Sequence, residues 1–251
     1  MEITILGCGS SHGVPSVNCH CFVCTSDNPR NKRTRASIFI KTKKTQILID
    51  TSPDLRQQCL NNNIESVNAI IFTHEHSDHV AGIDDIRRLC KYGQPIVSYM
   101  DDATFAALKI RYHYIFSSEN LMYPPLIKRK ELKKQQKIGD VNVISFNQIH
   151  GLIMSQGIRI NNVVYSTDLN KMPESSLTAL QNLDIWILDC LRYSYTPTHL
   201  YLEKSLLLIE RIKPKLAVLT HMGHDIEYEE ISKMLPKNVI AAYDNLKLSV
   251  D

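Results

Sequence analysis

The sequence predicts an α/β fold built as one domain over residues 1–251. Short apolar runs typical of strands alternate with helical patterns along the whole chain, which indicates layers of sheet and helix. A chain of 251 residues is long enough for one large core, and no repeat or linker interrupts the pattern. Because no apolar run approaches the ~20 residues that span a membrane, we expect no membrane partner.

Local patterns predict each element in turn. Residues 69–72 form a short apolar run, Ser52 and Pro53 are residue types that open helices, and Asn161 and Asn162 predict a hairpin turn. The predicted strands are 1–6, 36–41, 46–50, 69–72, 141–146, 158–160, 163–166, 184–188, 216–220 and 239–243. The predicted helices are 53–61, 84–90, 101–111, 173–180, 198–212 and 225–235.

Composition and cysteine usage predict a cytoplasmic protein. The first residues read as a strand and lack a basic leader, so we expect no signal peptide. Four scattered cysteines are expected to be reduced, mostly buried thiols, namely Cys8, Cys59, Cys90 and Cys190. The net charge of +3, from 29 basic and 26 acidic residues, is too small to indicate a nucleic-acid partner.

The densest cluster of metal-binding residue types follows the strand-like run 69–72. It reads H-x-H-x-D-H, with imidazole and carboxylate groups that zinc, manganese and iron all accept. His74 and His76 are two residues apart, so in an extended segment they project to the same side and can hold one ion. Asp78 and His79 follow as the chain turns and can reach a second ion. The alternative is a solvated polar turn without metal.

Further ligands are predicted just past three later strands. His150 follows the run 141–146, Asp168 follows 163–166, and His221 follows 216–220. Layered α/β folds place their site residues at such strand ends. Taken singly, each of these residues is equally well explained as an ordinary surface or core side chain.

A second metal site is predicted near the start of the chain. Cys19, Cys21 and Cys24 give C-x-C-x-x-C, and three thiolates with one imidazole make a closed structural zinc site. We expect His224 as the fourth ligand. The weaker candidates are His12 and His20. A disulfide fits an odd number of clustered cysteines poorly, so free thiols are the remaining alternative.

These motifs, taken together, resemble a known family. The order H-x-H-x-D-H, His, Asp, His is similar to the ligand set of dinuclear metallo-β-lactamase-fold hydrolases. The cysteine loop after Gly7-Cys8-Gly9 resembles the PhnP-like branch, whose named activity is phosphoribosyl 1,2-cyclic phosphate phosphodiesterase. The resemblance implies a four-layer αββα sandwich.

The resemblance also implies how the metals are held. It implies two divalent ions, Mn or Zn, in the active site and one structural Zn. One active-site ion would be bound by His74, His76, His150 and Asp168. The other would be bound by Asp78, His79, His221 and the shared Asp168.

By the same resemblance, the chain would hydrolyse a small phosphodiester, a cyclic phosphate of a ribose or nucleotide, through a metal-bridging hydroxide. His199, ahead of a late helix, would be the general acid or phosphate clamp, unless it is a surface histidine. Asp78 would also orient the hydroxide. Arg192 departs from the family's pattern but lies in a region expected to line the pocket, so we predict that it contacts the substrate. Asp50 either supports the ligand loop or is an ordinary turn acid. A homodimer is possible.

Other functions remain open. A tRNA 3′-processing-type nuclease of this fold would need an arm for tRNA, and no insertion of that kind is evident. A thioester or lactone hydrolase has less need of His199 and a basic rim. A non-hydrolytic, PqqB-like biosynthesis protein shares a similar cysteine loop, but would be expected to lack some of the seven ligands.

Two basic clusters need explanation. Six lysines and arginines fall within residues 128–137, which either attract an anionic substrate or form a solvated loop or hairpin face. The absence of interleaved aromatic residues favours the second interpretation. The other cluster follows the cysteine loop. It either lies near the pocket mouth and helps to bind phosphate, or has no such role. It consists of Arg30, Lys32, Arg33 and Arg35.

Overall fold

Two seven-stranded sheets form the centre of the protein. The computed structural model describes residues 1–117 and 124–250. The first sheet has the order β14-β1-β2-β3-β4-β5-β6 and the second the order β13-β12-β11-β10-β9-β8-β7. The strands are β1 Glu2–Gly7, β2 Ser37–Lys41, β3 Gln46–Ile49, β4 Ala69–Ile71, β5 Ile96–Met100, β6 Ile127–Glu131, β7 Gln135–Ile138, β8 Val141–His150, β9 Ile153–Ile160, β10 Val163–Ser166, β11 Ile185–Asp189, β12 Leu216–Thr220, β13 Val239–Ala241 and β14 Lys247–Ser249.

Helices flank both sheets, giving the four-layer αββα arrangement expected from the sequence. The α-helices are α1 Phe22–Thr25, α2 Leu55–Asn61, α3 Ser77–Val80, α4 Asp102–Arg111, α5 His113–Phe116, α6 Leu202–Ile212 and α7 Tyr228–Met234. Short 3₁₀ segments cover Pro29–Asn31, Ile83–Leu89, Lys91–Gly93 and Glu174–Leu180. Within the described ranges, none of these helices has the length and apolar character that a membrane span requires.

The largest core lies between the sheets. Ile38 and Ile49 from the first sheet pack with Val164 and Ile187 from the second, all fully buried. A strand in the middle of the first sheet contributes side chains to this core from one face and to a second core from the other face. Its residues are therefore apolar without alternation, as in the continuous runs of the sequence. A second core lies outside the first sheet, where its strands meet α2, α4 and the 3₁₀ segment Ile83–Leu89.

The sheet topology brings distant strand ends together. β3, β4 and β5 are parallel, and β10 to β13 are parallel in the other sheet. The segments after β1 and β12 also meet, because Met222 N donates to Cys8 O. Loops that follow β4, β10, β11 and β12 therefore project from one edge of the sandwich, which is where the predicted ligands lie.

Several element boundaries differ from the prediction. The helix expected over 198–212 begins at Leu202, because the chain bends at residues 197–199 and the extended N-cap Tyr201 forms a bridge with Arg192. The helices expected over 84–90 and 173–180 are 3₁₀ segments. The helix expected from residue 53 begins at Leu55 with Asp54 as N-cap. The spacing of apolar residues does not distinguish an α-turn from a 3₁₀-turn.

The basic run 128–137 is neither a loop nor one hairpin. It forms β6 and β7, which are the outermost strands of two different sheets. Arg129 pairs with Asp102, and its guanidinium lies 4.8 Å from the Phe105 ring centroid. Charged side chains on an edge strand discourage pairing with another chain. Protection of the two sheet edges from pairing with other chains is therefore sufficient to explain the basic residues of 128–137.

Candidate active site

The structure brings all seven predicted active-site ligands together at the edge of the sandwich. They form two groups whose ligand atoms lie within 4.8 Å of one another. One group is His74, His76, His150 and Asp168. The other group is Asp78, His79, Asp168 and His221.

Asp168 joins the two groups through its two oxygens. Its Oδ2 lies 3.7 Å from His74 Nε2 and 3.6 Å from His150 Nε2. Its Oδ1 lies 3.1 Å from His79 Nε2 and 3.4 Å from His221 Nε2. A carboxylate with one oxygen in each group can bridge two ions, which two-metal hydrolases hold about 3.5–4 Å apart.

The donor set fits two divalent ions. Ligands about 2.0–2.2 Å from an ion are separated from each other by roughly 3–3.6 Å, and the distances around Asp168 fall close to this range. Within the described part of the chain, the Nε2 atoms of His74, His79 and His221 are buried and have no hydrogen-bond partner. Buried polar atoms are rarely unpaired, so three of them around one space indicate a missing cationic partner.

The other ring nitrogens are held by the protein. Because the Thr73 hydroxyl donates to Asp50 Oδ2 (2.8 Å), its oxygen accepts from His74 Nδ1 at 3.0 Å. His79 Nδ1 donates to Asp50 Oδ2 at 2.8 Å, and His150 Nδ1 donates to the Thr198 carbonyl at 2.7 Å. Each bond fixes the ring so that Nε2 faces the site. Asp50 therefore supports the ligands and is more than a turn acid.

Three site residues adopt left-handed backbone conformations. Asp50, Asp168 and His221 have φ angles of 64°, 52° and 58°. Each one follows closely on the end of a strand, where this conformation turns the side chain towards the site. Such a conformation costs a non-glycine residue about 1–2 kcal/mol, and strain of this kind concentrates at functional sites.

Electrostatics favour a bound cation. Burial lowers the pKa of His74 well below its ordinary value, which keeps the ring neutral as a ligand must be. Burial alone would raise the pKa of Asp168, but the charges of His221 and His79 lower it well below its usual range. Burial opposes protonation of His79, yet the carboxylates around it raise its pKa strongly. Asp78 and Asp168 thus face a space where positive charge is favoured, while Asp50 contacts the opposite nitrogen of the His79 ring.

His199 lies beside this centre, and a residue that the sequence analysis did not single out holds it there. Asp189, fully buried at the end of β11, accepts from His199 Nδ1 at 3.0 Å and from the Leu169 amide at 3.1 Å. His199 Nε2 is 3.9 Å from Asp168 Oδ2. Burial lowers the pKa of His199, but Asp189 more than compensates and brings it to about 9. The signal for Asp189 was present, since it ends a buried strand as Asp168 does.

The cysteine cluster assembles next to the candidate active site. Cys19, Cys21, Cys24 and His224 place their ligand atoms within 4.8 Å of one another. His224 Nδ1 is 3.3 Å from both Cys19 Sγ and Cys21 Sγ. The hydrogen bond with His224 lowers the pKa of Cys21 to about 6, whereas burial raises that of Cys24 to about 11. Three thiols and one imidazole suit a tetrahedral zinc ion.

The other predicted site residues are placed as follows. Within the described ranges, neither His12 nor His20 belongs to a candidate ligand group. Arg192 is exposed, and its backbone forms a bridge with Tyr201 just before α6. His221 and His224 are three residues apart, so one short segment connects the two metal centres.

The sequence profile of the β-lactamase superfamily domain matches residues 45–222. This chain belongs to the β-lactamase superfamily. An octanoyltransferase of Porphyromonas gingivalis is 34% identical over 256 residues, which cover 100% of this chain and 52% of that protein. This superfamily member therefore spans about half the length of that curated relative.

Solved structures give the same family. A diphosphatase from the PhnP family has a TM-score of 0.93 and 33% identity, covering 100% of this chain and 98% of that one. Zn²⁺-bound PqqB from Methylobacterium extorquens has a TM-score of 0.79 at 20% identity over 100% of both chains, a similarity of fold. The predicted resemblance to the PhnP-like branch is confirmed. This superfamily member has the metallo-β-lactamase fold.

Proposed function

We propose that this protein is a metal-dependent hydrolase that cleaves a small phosphodiester, a cyclic phosphate of a ribose or nucleotide. The observation that carries the proposal is the Asp168 carboxylate, with one oxygen in each ligand group. Two adjacent cation sites suit a phosphoryl centre, where attacking and leaving oxygens both carry negative charge. His199, with its pKa raised to about 9, adds a proton donor beside them.

Mn or Zn ions bound by the seven ligands would lower the pKa of water and neutralise charge on the phosphoryl oxygens. The chain's own residues do the rest. Asp189 fixes His199 with Nδ1 bonded and Nε2 towards the site. As the oxygen of the attacking water forms its bond to phosphorus and releases a proton to solvent, the bond from phosphorus to the leaving oxygen breaks. His199 Nε2 transfers its proton to that oxygen, which becomes a hydroxyl. Asp78, with Oδ2 3.4 Å from His79 Nε2, orients the attacking water.

Several related expectations stay with this proposal. The third ligand group would be structural, with Cys19, Cys21, Cys24 and His224 holding zinc. Arg192 would contact the substrate from the loop before α6. We also propose a cytoplasmic location, since reduced thiols suit that compartment. Finally, we propose that the protein forms a homodimer and that it binds neither nucleic acid nor a membrane.

Hydrolysis of a diphosphate is the second candidate. It is favoured by the 33% identity to the PhnP-family diphosphatase over the whole chain. A diphosphate ester presents the same phosphoryl centre, with a phosphate in place of an alkoxide as leaving group. Because this chain matches only about half of the octanoyltransferase, the transferase activity of that protein is not proposed here.

A metal count with a substrate panel tests the proposal. Protein purified without chelator would be supplied with Mn or Zn and given a ribose cyclic phosphate, bis-p-nitrophenyl phosphate, a dinucleoside diphosphate, a phosphomonoester and a thioester. We expect three metal ions per chain and selective turnover of the diesters. Asp78→Ala should abolish turnover, and Asp85→Ala, which changes an exposed acid after the motif, should not.

Each outcome decides between the candidates. Preferential cleavage of the diphosphate would replace the first candidate by the second. Turnover of the thioester alone would contradict both. One bound zinc with no hydrolysis of any substrate would overturn the enzymatic proposal and leave a role built on the cysteine cluster.

A further inference from the structure

A separate cavity of about 560 Å³ lies beside the cysteine loop. It is formed by the loop 12–15, by residues 29–35 and by 243–245, with Asp54 and Asn61 closing one side. Within the described ranges, no ligand of either candidate metal centre lines it. The four basic residues that follow the cysteine loop line it, namely Arg30, Lys32, Arg33 and Arg35.

Among the described residues, one of these four charges has an ion-pair partner. Arg35 Nε lies 3.2 Å from Asp54 Oδ2. The second acid of the cavity, Asp244, is occupied by the backbone amides of Cys8 and Thr34 and by their side chains. Among residues 1–117 and 124–250, no carboxylate lies within 4 Å of the charged groups of the other three cations.

Arg33 is a buried charge in the cavity wall. Its side chain is 1% exposed, and its terminal nitrogens donate to the carbonyls of Gly223 and Ile226 at 3.0 and 2.8 Å. Its Nε has no partner among the described residues. Carbonyl groups solvate a guanidinium but do not neutralise it, so a buried cation of this kind favours an anion close by.

Two tyrosine rings hold the side chain of Arg30 in place. Its guanidinium lies 4.7 Å from the ring centroids of both Tyr228 and Tyr243, which restrict its orientation. Within the described part of the chain, no acceptor is bonded to this guanidinium. Stacking leaves the edge of the planar group available, and that edge matches two phosphate oxygens at once.

We propose that this cavity binds a phosphorylated small molecule of nucleotide size, at a site distinct from the metal centre. Four cations and two acids, Asp54 and Asp244, line the cavity and leave a net charge of +2, which suits a phosphate dianion better than a single carboxylate. The volume falls within the range of about 300–1,000 Å³ typical of small-molecule sites. Val14, Pro15 and the Tyr243 ring provide an apolar wall for the rest of the ligand. This proposal does not depend on the reaction at the metal centre.

Calorimetric titration with adenosine 5′-monophosphate and with inorganic phosphate tests the proposal on the metal-loaded protein. We expect Arg30→Gln to weaken the binding of the nucleotide by about tenfold or more, because a charge-assisted bidentate contact is lost. Arg30→Lys should restore part of the affinity. The control Arg56→Gln, which changes an arginine that lines a different cavity, should leave it unchanged.

Two further measurements separate this site from the metal centre. Hydrolysis of bis-p-nitrophenyl phosphate should be the same in Arg30→Gln and the wild type. Binding of the nucleotide should persist in Asp78→Ala, whose metal centre is impaired. Equal affinity of the wild type and Arg30→Gln would overturn the proposal, as would nucleotide binding that disappears in Asp78→Ala. Thermal unfolding of Arg30→Lys and Arg30→Gln would establish that both variants are folded.

Discussion

The candidate active site and the cysteine cluster differ in what holds their ligands in place. In the active site, buried partners such as Asp50, Thr73 and Asp189 bind the ring nitrogens that face away from the metal positions. In the cysteine cluster, Cys19 and Cys21 are half-buried, His224 is exposed, and the ligand atoms mainly contact one another.

This difference indicates when each site acquires its geometry. A site whose ligands are positioned by buried hydrogen bonds is preorganised before metal binds, as catalysis requires. A cluster whose members contact mainly each other depends on its ion, so its metal affinity contributes to folding of the loop. The first region is therefore sensitive to changes in its supporting residues, and the second is sensitive to loss of the metal.

The largest effect is expected from Asp168→Asn. The substitution keeps the size of the side chain but removes the charge shared by the two ligand groups, so both metal positions weaken together. We expect turnover of the phosphodiester to fall by roughly 10³-fold or more. Metal analysis should show that about one ion remains, at the cysteine cluster. Retention of all the metal would contradict the bridging role, and Asp85→Asn is the matched control.

Asp189→Asn should have the next largest effect. Asp189 contacts no predicted substrate position but holds His199 through Nδ1, so the variant tests positioning alone. We expect turnover to fall about 10- to 100-fold with little change in metal content. The pH profile of turnover should also change, because the substitution removes the carboxylate that raises the pKa of His199, and that pKa should fall. An unchanged profile together with reduced stability would indicate a purely structural role.

Cys21→Ser should affect stability more than activity. Loss of a thiolate removes the tetrahedral site, and the loop 19–24 then loses its main constraint. Differential scanning calorimetry should give a lower Tm and metal analysis one ion fewer. Turnover at saturating metal should fall by less than about tenfold, because the supports of the active site are separate. A larger loss than in Asp189→Asn would show that the two regions are coupled through the segment 221–224.

The smallest effect concerns pH in the metal-free protein. His199 has a pKa of about 9 in the folded protein, above its value of about 6.5 in an unfolded chain. Its contribution to the free energy of unfolding is therefore complete below about pH 6.5 and is lost as the pH rises through about 9. Denaturant unfolding of the wild type and His199→Gln should differ most at and below about pH 6.5, differ less as the pH rises, and converge by about pH 10. A constant difference would contradict the assigned pKa.

Much of the fold was predictable from local patterns, and the missed elements have identifiable causes. β5 was missed because its five residues are a short run without clear alternation. β6 and β7 are edge strands with exposed lysines. Charged residues of this kind do not give the apolar pattern by which strands are predicted, so both strands were missed. The start of α6 was placed too early because Pro197 and Thr198 are helix-opening residue types, whereas the chain only bends there and the helix begins at Leu202.

The sequence by itself determined the fold class and the residues that meet in each metal centre, because ligand chemistry demands particular side chains at strand ends. Only the tertiary structure decided that each oxygen of Asp168 faces a different group, that Asp189 holds His199, and that Arg30 lies between two tyrosine rings. These arrangements join residues from separate strands and loops. They depend on the register of the sheets and on left-handed turns, such as that at Asp168, which residue type alone does not specify.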